Sequence, residues 1–162
     1  MKTLNLHCDH IKFKALKKAL KQIDELAPVQ TKEGGAQNFL AVLIAVEKDD
    51  NLKSAEQLTA SIQDIANQVQ TKSVVLYPYA HLSKNLSSPE TAIEILNATK
   101  RSLSEKFDIL QAPFGYYKQL ELKIKGHPLA ELSREIKLAE SSSIETKMET
   151  ACHLIYETTR EL

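Results

Sequence analysis

Two side chains in this sequence combine reactive chemistry with an unusual setting, Lys118 and His81. Lys118 stands in QAPFGYYKQLELKIKG, where Leu120, Leu122 and Ile124 alternate with Gln119, Glu121, Lys123 and Lys125. A period of two over Tyr116 to Lys125 is that of a strand with one apolar face. By parity Lys118 shares the face of the leucines, so a cation lies at the rim of an apolar surface. Two readings stand side by side. Either the lysine snorkels, with its stem on the core edge and its head in water, or it is aimed into a pocket beside Tyr117 and Glu131. His81 follows Lys72 to Tyr77, a short run rich in β-branched residues that reads as a buried strand. A strand that ends in Pro, an aromatic and a His, ahead of a helix, is a frequent place for ligand groups in α/β architectures. A lone His is more often a hydrogen-bonded structural residue, and that reading stays open too.

A third group, His7-Cys8-Asp9-His10, holds residue types that ligate zinc. The spacing fits no closed site, and no later CxxC or HxxxH completes one. A polar turn after a first strand (Thr3 to Cys8) is the expected structure, with no metal.

The elements that must position these groups follow from pattern. Ile11 to Ile23 fits both a strand (Ile11, Phe13, Ala15) and a helix (Phe13, Leu16, Leu20, Ile23). Ala27 to Gln37, with Pro28, Gly34 and Gly35, reads as a loop. Phe39 to Val46 is the most apolar run and reads as a central strand buried on both faces. Ser54 to Val69 is an amphipathic helix with Ser54 as its candidate N-cap. Ser88-Pro89-Glu90 starts a second helix, and Phe107 to Leu110 is a short strand. Ala112-Pro113-Phe114-Gly115 is a turn. Gly126-His127-Pro128 ends the Lys118 strand, and Leu129, Leu132 and Ile136 share one face of an expected helix that Pro128 begins. The order predicts a mixed β-sheet layer covered by helices, an α/β fold.

Composition narrows the class. The chain has 162 residues, enough for one domain with a real core. Formal net charge is +0, so no global field draws it to RNA, and any such contact needs a local patch. Lys12, Lys14, Lys17, Lys18 and Lys21 form the most basic stretch, either a solvated face or a phosphate contact. Cys8 and Cys152 show no paired spacing and suggest reduced thiols in the cytoplasm. No apolar run is long enough to span a membrane, and no signal peptide is expected.

Three stretches together carry a resemblance, YPYAHLS at 77–83, APFGYYK at 112–118 and KGHPLAELSR at 125–134, and Val46-Glu47-Lys48 after an apolar strand also fits it. They resemble the N-terminal editing domain of archaeal threonyl-tRNA synthetases, from the N-terminus to about Ile136. Tyr79, where Phe is expected, is a mild departure. The resemblance favours a strand through Ala15, in a hairpin with the first. It implies the fold of D-aminoacyl-tRNA deacylases, usually homodimeric, with residues 1–138 as the editing domain. Residues 139–162 would be a linker and C-terminal helix leading toward a synthetase body, in cis or in trans. No aminoacylation domain fits within this length, so the chain is an excised module or a free-standing editing protein.

The implied activity is hydrolysis of L-seryl-tRNA(Thr) at its acceptor end, sparing the threonyl ester, without a cofactor. Lys118 would orient water or stabilise the developing oxyanion, with help from the substrate's ribose 2′-hydroxyl. His81, Tyr117 and Glu131 would line the pocket and Phe114 would wall it. Backbone groups near Val46 and Ala80 would take the amino group and side chain of the substrate. Parity sends Tyr117 and Lys118 to opposite faces, so a bulge or strand end is expected there. A D-aminoacyl-tRNA deacylase, or a non-catalytic tRNA-binding or dimerisation module, remains the alternative.

Overall fold

One long strand organises the sheet. β1 (Lys2–Lys18) pairs along one side with β2 (Glu33–Ala45) and along the other with two successive partners. The computed structural model describes residues 1–21, 23 and 33–138. The remaining elements are α1 (Leu52–Gln68), β3 (Ser73–Pro78), a 3-10 turn (Ala80–Leu82), α2 (Pro89–Leu103), β4 (Asp108–Gln111), β5 (Tyr116–Ile124) and β6 (Glu131–Glu135). Among the described residues the strands form one six-stranded sheet, ordered β4-β3-β2-β1-β5, with β6 also on β1. β2, β3 and β4 are parallel, while β1 runs antiparallel to β2, β5 and β6.

His7-Cys8-Asp9-His10 is not a turn, and β1 does not fold into a hairpin with itself. The strand continues through it with a bulge. Cys8 faces Ile124 and His10 faces Lys123, so Asp9 is the extra residue. The bulge switches parity: Leu6 and Cys8 before it and Ile11 and Phe13 after it enter the same apolar cluster. Asp9 is fixed there by an ion pair with Lys125. The same strand pairing overrides the helical spacing from Phe13 as far as Lys18, where β1 ends.

The expected loop at Ala27 to Gln37 is corrected in its second half. Glu33 to Gln37 belong to β2, with Gly34 opposite Phe13 and Gly35 opposite Lys12. A Cβ on Gly34 would lie 2.7 Å from the Phe13 ring, so glycine marks a close approach rather than a turn. The first half of that stretch lies outside the described residues, as does the expected C-terminal helix in 139–162.

Pro128 does not begin a helix. Glu131–Glu135 is β6, opposite Lys2 to Leu6. Ala130, Leu132 and Ile136 fit a period of two as well as a helical face. The vacant edge of β1 beyond β5 decides between them, because its backbone groups need partners. His7 N–H donates to Ala130 O at 2.8 Å, and Ile136 N–H to Met1 O at 2.8 Å.

The helices form as the pattern predicts, with one shift. Asn51, not Ser54, caps α1. Asn51 accepts from Lys53 N–H at 2.8 Å, and Ser54 Oγ accepts from Asn51 N–H at 3.1 Å, a reciprocal capping box. Ser88 caps α2, accepting from Thr91 N–H at 3.3 Å. Both helices cover one face of the parallel strands, burying Leu58, Ile62, Ile95 and Leu96 against Leu40, Val42 and Leu76. The other face carries Phe13, Phe39, Ala41, Val75 and Tyr77. β2 is therefore buried on both faces, as its unbroken apolar run requires.

Candidate active site

Lys118 lies on β5 opposite Ala15, on the sheet face that carries Phe13 and Tyr77. Its ammonium is not simply snorkelling. Nζ donates to Pro113 O at 3.0 Å and to Tyr116 O at 3.1 Å, and stands 5.1 Å from the centre of the Tyr77 ring. An ammonium has three donors, so one is left for a ligand. Burial pulls the group down to about 8, close enough to neutrality for its charge to be adjustable.

The turn at 112–115 supplies the carbonyl that holds it. Gly115 has φ 77, and a Cβ there would lie 2.6 Å from Ile23 Cδ1, so only glycine fits. Gly115 O accepts from Ala19 N–H at 2.7 Å, which ties the turn to the chain just after β1.

His81 reaches the same region through aromatic contacts. Tyr77 meets Phe13 edge-on at 6.1 Å and Tyr79 at 6.2 Å, and Tyr79 meets His81 at 5.1 Å. Lys118, Tyr77, Tyr79 and His81 thus form one line of contacts joining two stretches far apart in sequence. Burial, with Tyr79 beside it, pushes the Tyr77 hydroxyl up to about 12, so it stays a neutral phenol. His81 itself is exposed on the 3-10 turn.

That turn is anchored by a residue outside the expected set. Ser83 Oγ donates to Glu47 at 2.5 Å, and the Met1 ammonium donates to Glu47 at 2.9 Å and to Asp50 at 3.1 Å. Burial works to raise the Glu47 carboxyl, but the Ser83 bond and the ammonium outweigh it and hold it below the usual range. Val46 O accepts from Ser87 N–H at 3.0 Å, and Ala80 O accepts from Ser83 N–H at 3.3 Å. Those two carbonyls therefore help to bind the 80–87 segment together.

Three expected residues are not brought to Lys118. Tyr117 points to the opposite face, 56% exposed, with the Lys17 ammonium 5.6 Å from its ring. The expected bulge exists, but on β1 at Leu16, between the pairs Ala15–Lys118 and Lys17–Tyr117, and it does not turn Tyr117 round. Phe114 packs on the helix-side core. Glu131 faces Leu6, whereas Lys118 faces Ala15, so about 30 Å of strand separates them within one chain. No group of three or more His, Cys, Asp or Glu among the described residues could hold a metal. Cys8 is a buried thiol that burial pushes up to about 12.

The profile of the archaea-specific editing domain of threonyl-tRNA synthetase matches residues 1–136. The chain belongs to this editing-domain family. Two curated relatives agree. The threonine–tRNA ligase of Nanoarchaeum equitans is 43% identical over 99% of this chain and 25% of its own length. That of Staphylothermus marinus is 42% identical over 89% of this chain and 24% of its own length. The editing-domain chain therefore spans about a quarter of the ligases it matches. Among solved structures, the c-Myc DNA unwinding element binding protein superposes with a TM-score of 0.62 at 12% identity, covering 85% of this chain and 100% of that one. The editing domain thus has the mixed α/β layer of the D-aminoacyl-tRNA deacylase-like fold.

Proposed function

We propose that this editing domain hydrolyses the ester of mischarged L-seryl-tRNA(Thr) and spares threonyl-tRNA(Thr). Water attacks the ester carbonyl carbon, and the electron pair moves to oxygen to give a tetrahedral oxyanion. Collapse expels the ribose oxygen, which takes a proton. Lys118 donates its remaining N–H to the developing oxyanion, as preorganised donors do in acyl transfer. The neighbouring ribose hydroxyl assists the water, so no side-chain base is assigned. His81 contacts the substrate beside this donor, and the backbone at Val46 and Ala80 borders the amino acid. Within one chain, no role in the step is assigned to Tyr117, Phe114 or Glu131.

The observation that carries this reading is the Lys118 ammonium, held by two carbonyls against Tyr77 and linked through Tyr79 to His81. The need for such a step is physical. A threonine-binding site rejects serine by one methyl group, worth roughly 10- to 200-fold. Membership of the synthetase's editing-domain family supports it. The acting unit in this proposal is residues 1–138, as a homodimer in the cytoplasm, with a synthetase body in cis or in trans.

The test offers this chain seryl-tRNA(Thr), threonyl-tRNA(Thr) and a D-aminoacyl-tRNA(Thr) in parallel. Rapid loss of serine with threonine retained is expected. Preferential loss of the D-amino acid would reassign the chain to chirality checking, and no hydrolysis by folded protein would make it a binding module.

A further inference from the structure

Beyond the helices, β2, β1 and β5 continue as a three-stranded ribbon whose helix-side face is open among the described residues. Where the helices cover that face it is apolar, with Leu40, Val42 and Ile44 buried. Past the bulge at Asp9 the same face presents Lys12, Lys14 and Lys123, all exposed, followed by Lys17 over the exposed Tyr117 ring. Lys12 and Lys14 are two residues apart on one strand, about 7 Å. Lys123 is the diagonal neighbour of Lys12 across the β1–β5 ladder, again about 7 Å away. Among the described residues none of these three lysines makes an ion pair. Of the two acids on the ribbon, Glu121 lies opposite Lys12 and is engaged by His10 at 3.2 Å, and Glu33 lies opposite Lys14. Gly35 keeps the surface flat beside Lys12, since a Cβ there would meet Ile11 O at 2.9 Å.

We infer that this ribbon face binds the phosphate backbone of RNA, with Tyr117 as a stacking surface for a base. The choice of RNA follows from charge complementarity. The chain is neutral overall, yet four lysines, Lys12, Lys14, Lys17 and Lys123, lie on one strip beside an exposed aromatic, the arrangement that suits a phosphate track with an adjacent base. β5 is the edge strand here, so RNA lying on this face reaches Lys118 by crossing one strand. The inference rests on the reading that the chain acts on tRNA, and it assigns that substrate's grip to a surface distinct from the site at Lys118.

The experiment is fluorescence anisotropy of this chain with labelled, uncharged tRNA(Thr) across a salt series. Neutralising three phosphates gives a log K against log salt slope of about −2 to −3. The triple variant Lys12→Gln, Lys14→Gln, Lys123→Gln is expected to flatten that slope by about two and weaken binding at least tenfold at 0.1 M salt. Tyr117→Ala is expected to weaken binding several-fold with the slope retained. Lys100→Gln with Arg101→Gln, on α2, removes charge elsewhere and is expected to leave both intact; an equal loss there would overturn the inference. Wild-type slope and affinity in a folded triple variant would overturn it, as would no tRNA binding by wild type. So would loss of self-association, rather than of RNA binding, in the triple variant. The probe carries no amino acid, so binding is read independently of chemistry; binding through these lysines, with no hydrolysis in the separate charged-tRNA assay, would sink the functional reading and leave this one standing.

Discussion

The ammonium of Lys118 stands 5.1 Å from the centre of the Tyr77 ring, and the ring belongs to a strand three positions across the sheet. The contact joins the β5 turn to the end of β3, and through Tyr79 to His81. Cation–π attraction and two carbonyl acceptors hold a charge that burial would otherwise expel.

Replacing Lys118 with Met keeps the stem and removes the donor. Deacylation of seryl-tRNA(Thr) is expected to fall by about 10²- to 10³-fold, the usual effect of losing an oxyanion donor. The thermal midpoint should not drop, since a desolvated cation is replaced by an apolar group. Retained deacylation in this variant would remove Lys118 from the mechanism.

The same residue separates activity from stability as pH rises. Its folded value, about 8, lies below the ordinary 10.5, so the unfolded chain binds more protons between those values. Stability from this group is complete above 10.5 and is lost as pH falls toward 8. A working ammonium predicts the opposite for activity, a decline as pH rises through about 8. Urea melts of wild type against Lys118→Met, with rates over the same range, should show the two trends diverging. Parallel trends would contradict the donor role.

Gly115→Ala tests the turn. Its φ of 77 and the 2.6 Å approach of Ile23 make any side chain strained, at a cost of about 2 kcal/mol. Deacylation is expected to fall as well, because Pro113 O, an acceptor for Lys118, moves with the turn. A stable variant with unchanged rates would separate the turn from the site.

Ser83→Ala removes the bond to Glu47, worth about 1 kcal/mol. Looser anchoring of the His81 turn should lower kcat more than it raises KM. Glu47→Gln addresses acid sensitivity. The Glu47 carboxyl is held below its ordinary 4.5, so its contribution is present above that pH and lost as pH falls through the folded value. The stability gap between wild type and Glu47→Gln should therefore shrink below pH 4.5.

His7 gives a third pH signal, at a different place. Leu129 N–H donates to His127 Nδ1 at 3.2 Å, which puts the proton of the neutral ring on Nε2, 2.7 Å from His7 Nδ1. Burial, His127 and Lys125 lower His7 below 6.5, while Asn38 and Asp9 oppose them more weakly. Stability from a neutral His7 is thus full above pH 6.5 and lost below it. Melting temperatures from pH 7.5 to 5 should fall less steeply in His7→Leu than in wild type.

Local patterns in the chain were enough to determine several elements and their faces. An unbroken apolar run marked β2, a 3.6-residue period marked α1, and Ser88-Pro89 marked the start of α2. Alternation over 116–125 put Lys118 on the apolar face of its strand. Each of these signals is carried by neighbours within one turn or one pleat, so it survives without knowledge of the rest. Three ungapped stretches carried the family resemblance for the same reason.

Other features depended on partners distant in sequence. The break in alternation at Asp9 reads as a turn from neighbours alone; the ladder to β2 carries the strand through it, and the register shift against β5 makes it a bulge. Leu132 and Ile136 satisfy a helix or a strand, and the vacant edge of β1 selects the strand. Gly34 and Gly35 resemble loop residues until Phe13 and Ile11 O are seen against them. The site divides along the same line. Lys118 and His81 were legible by type and setting, but their link through Tyr77, the anchoring by Glu47, and the distance to Glu131 are set by strand order and register. Those are non-local quantities, decided by which backbone edges find each other when the sheet closes over its core.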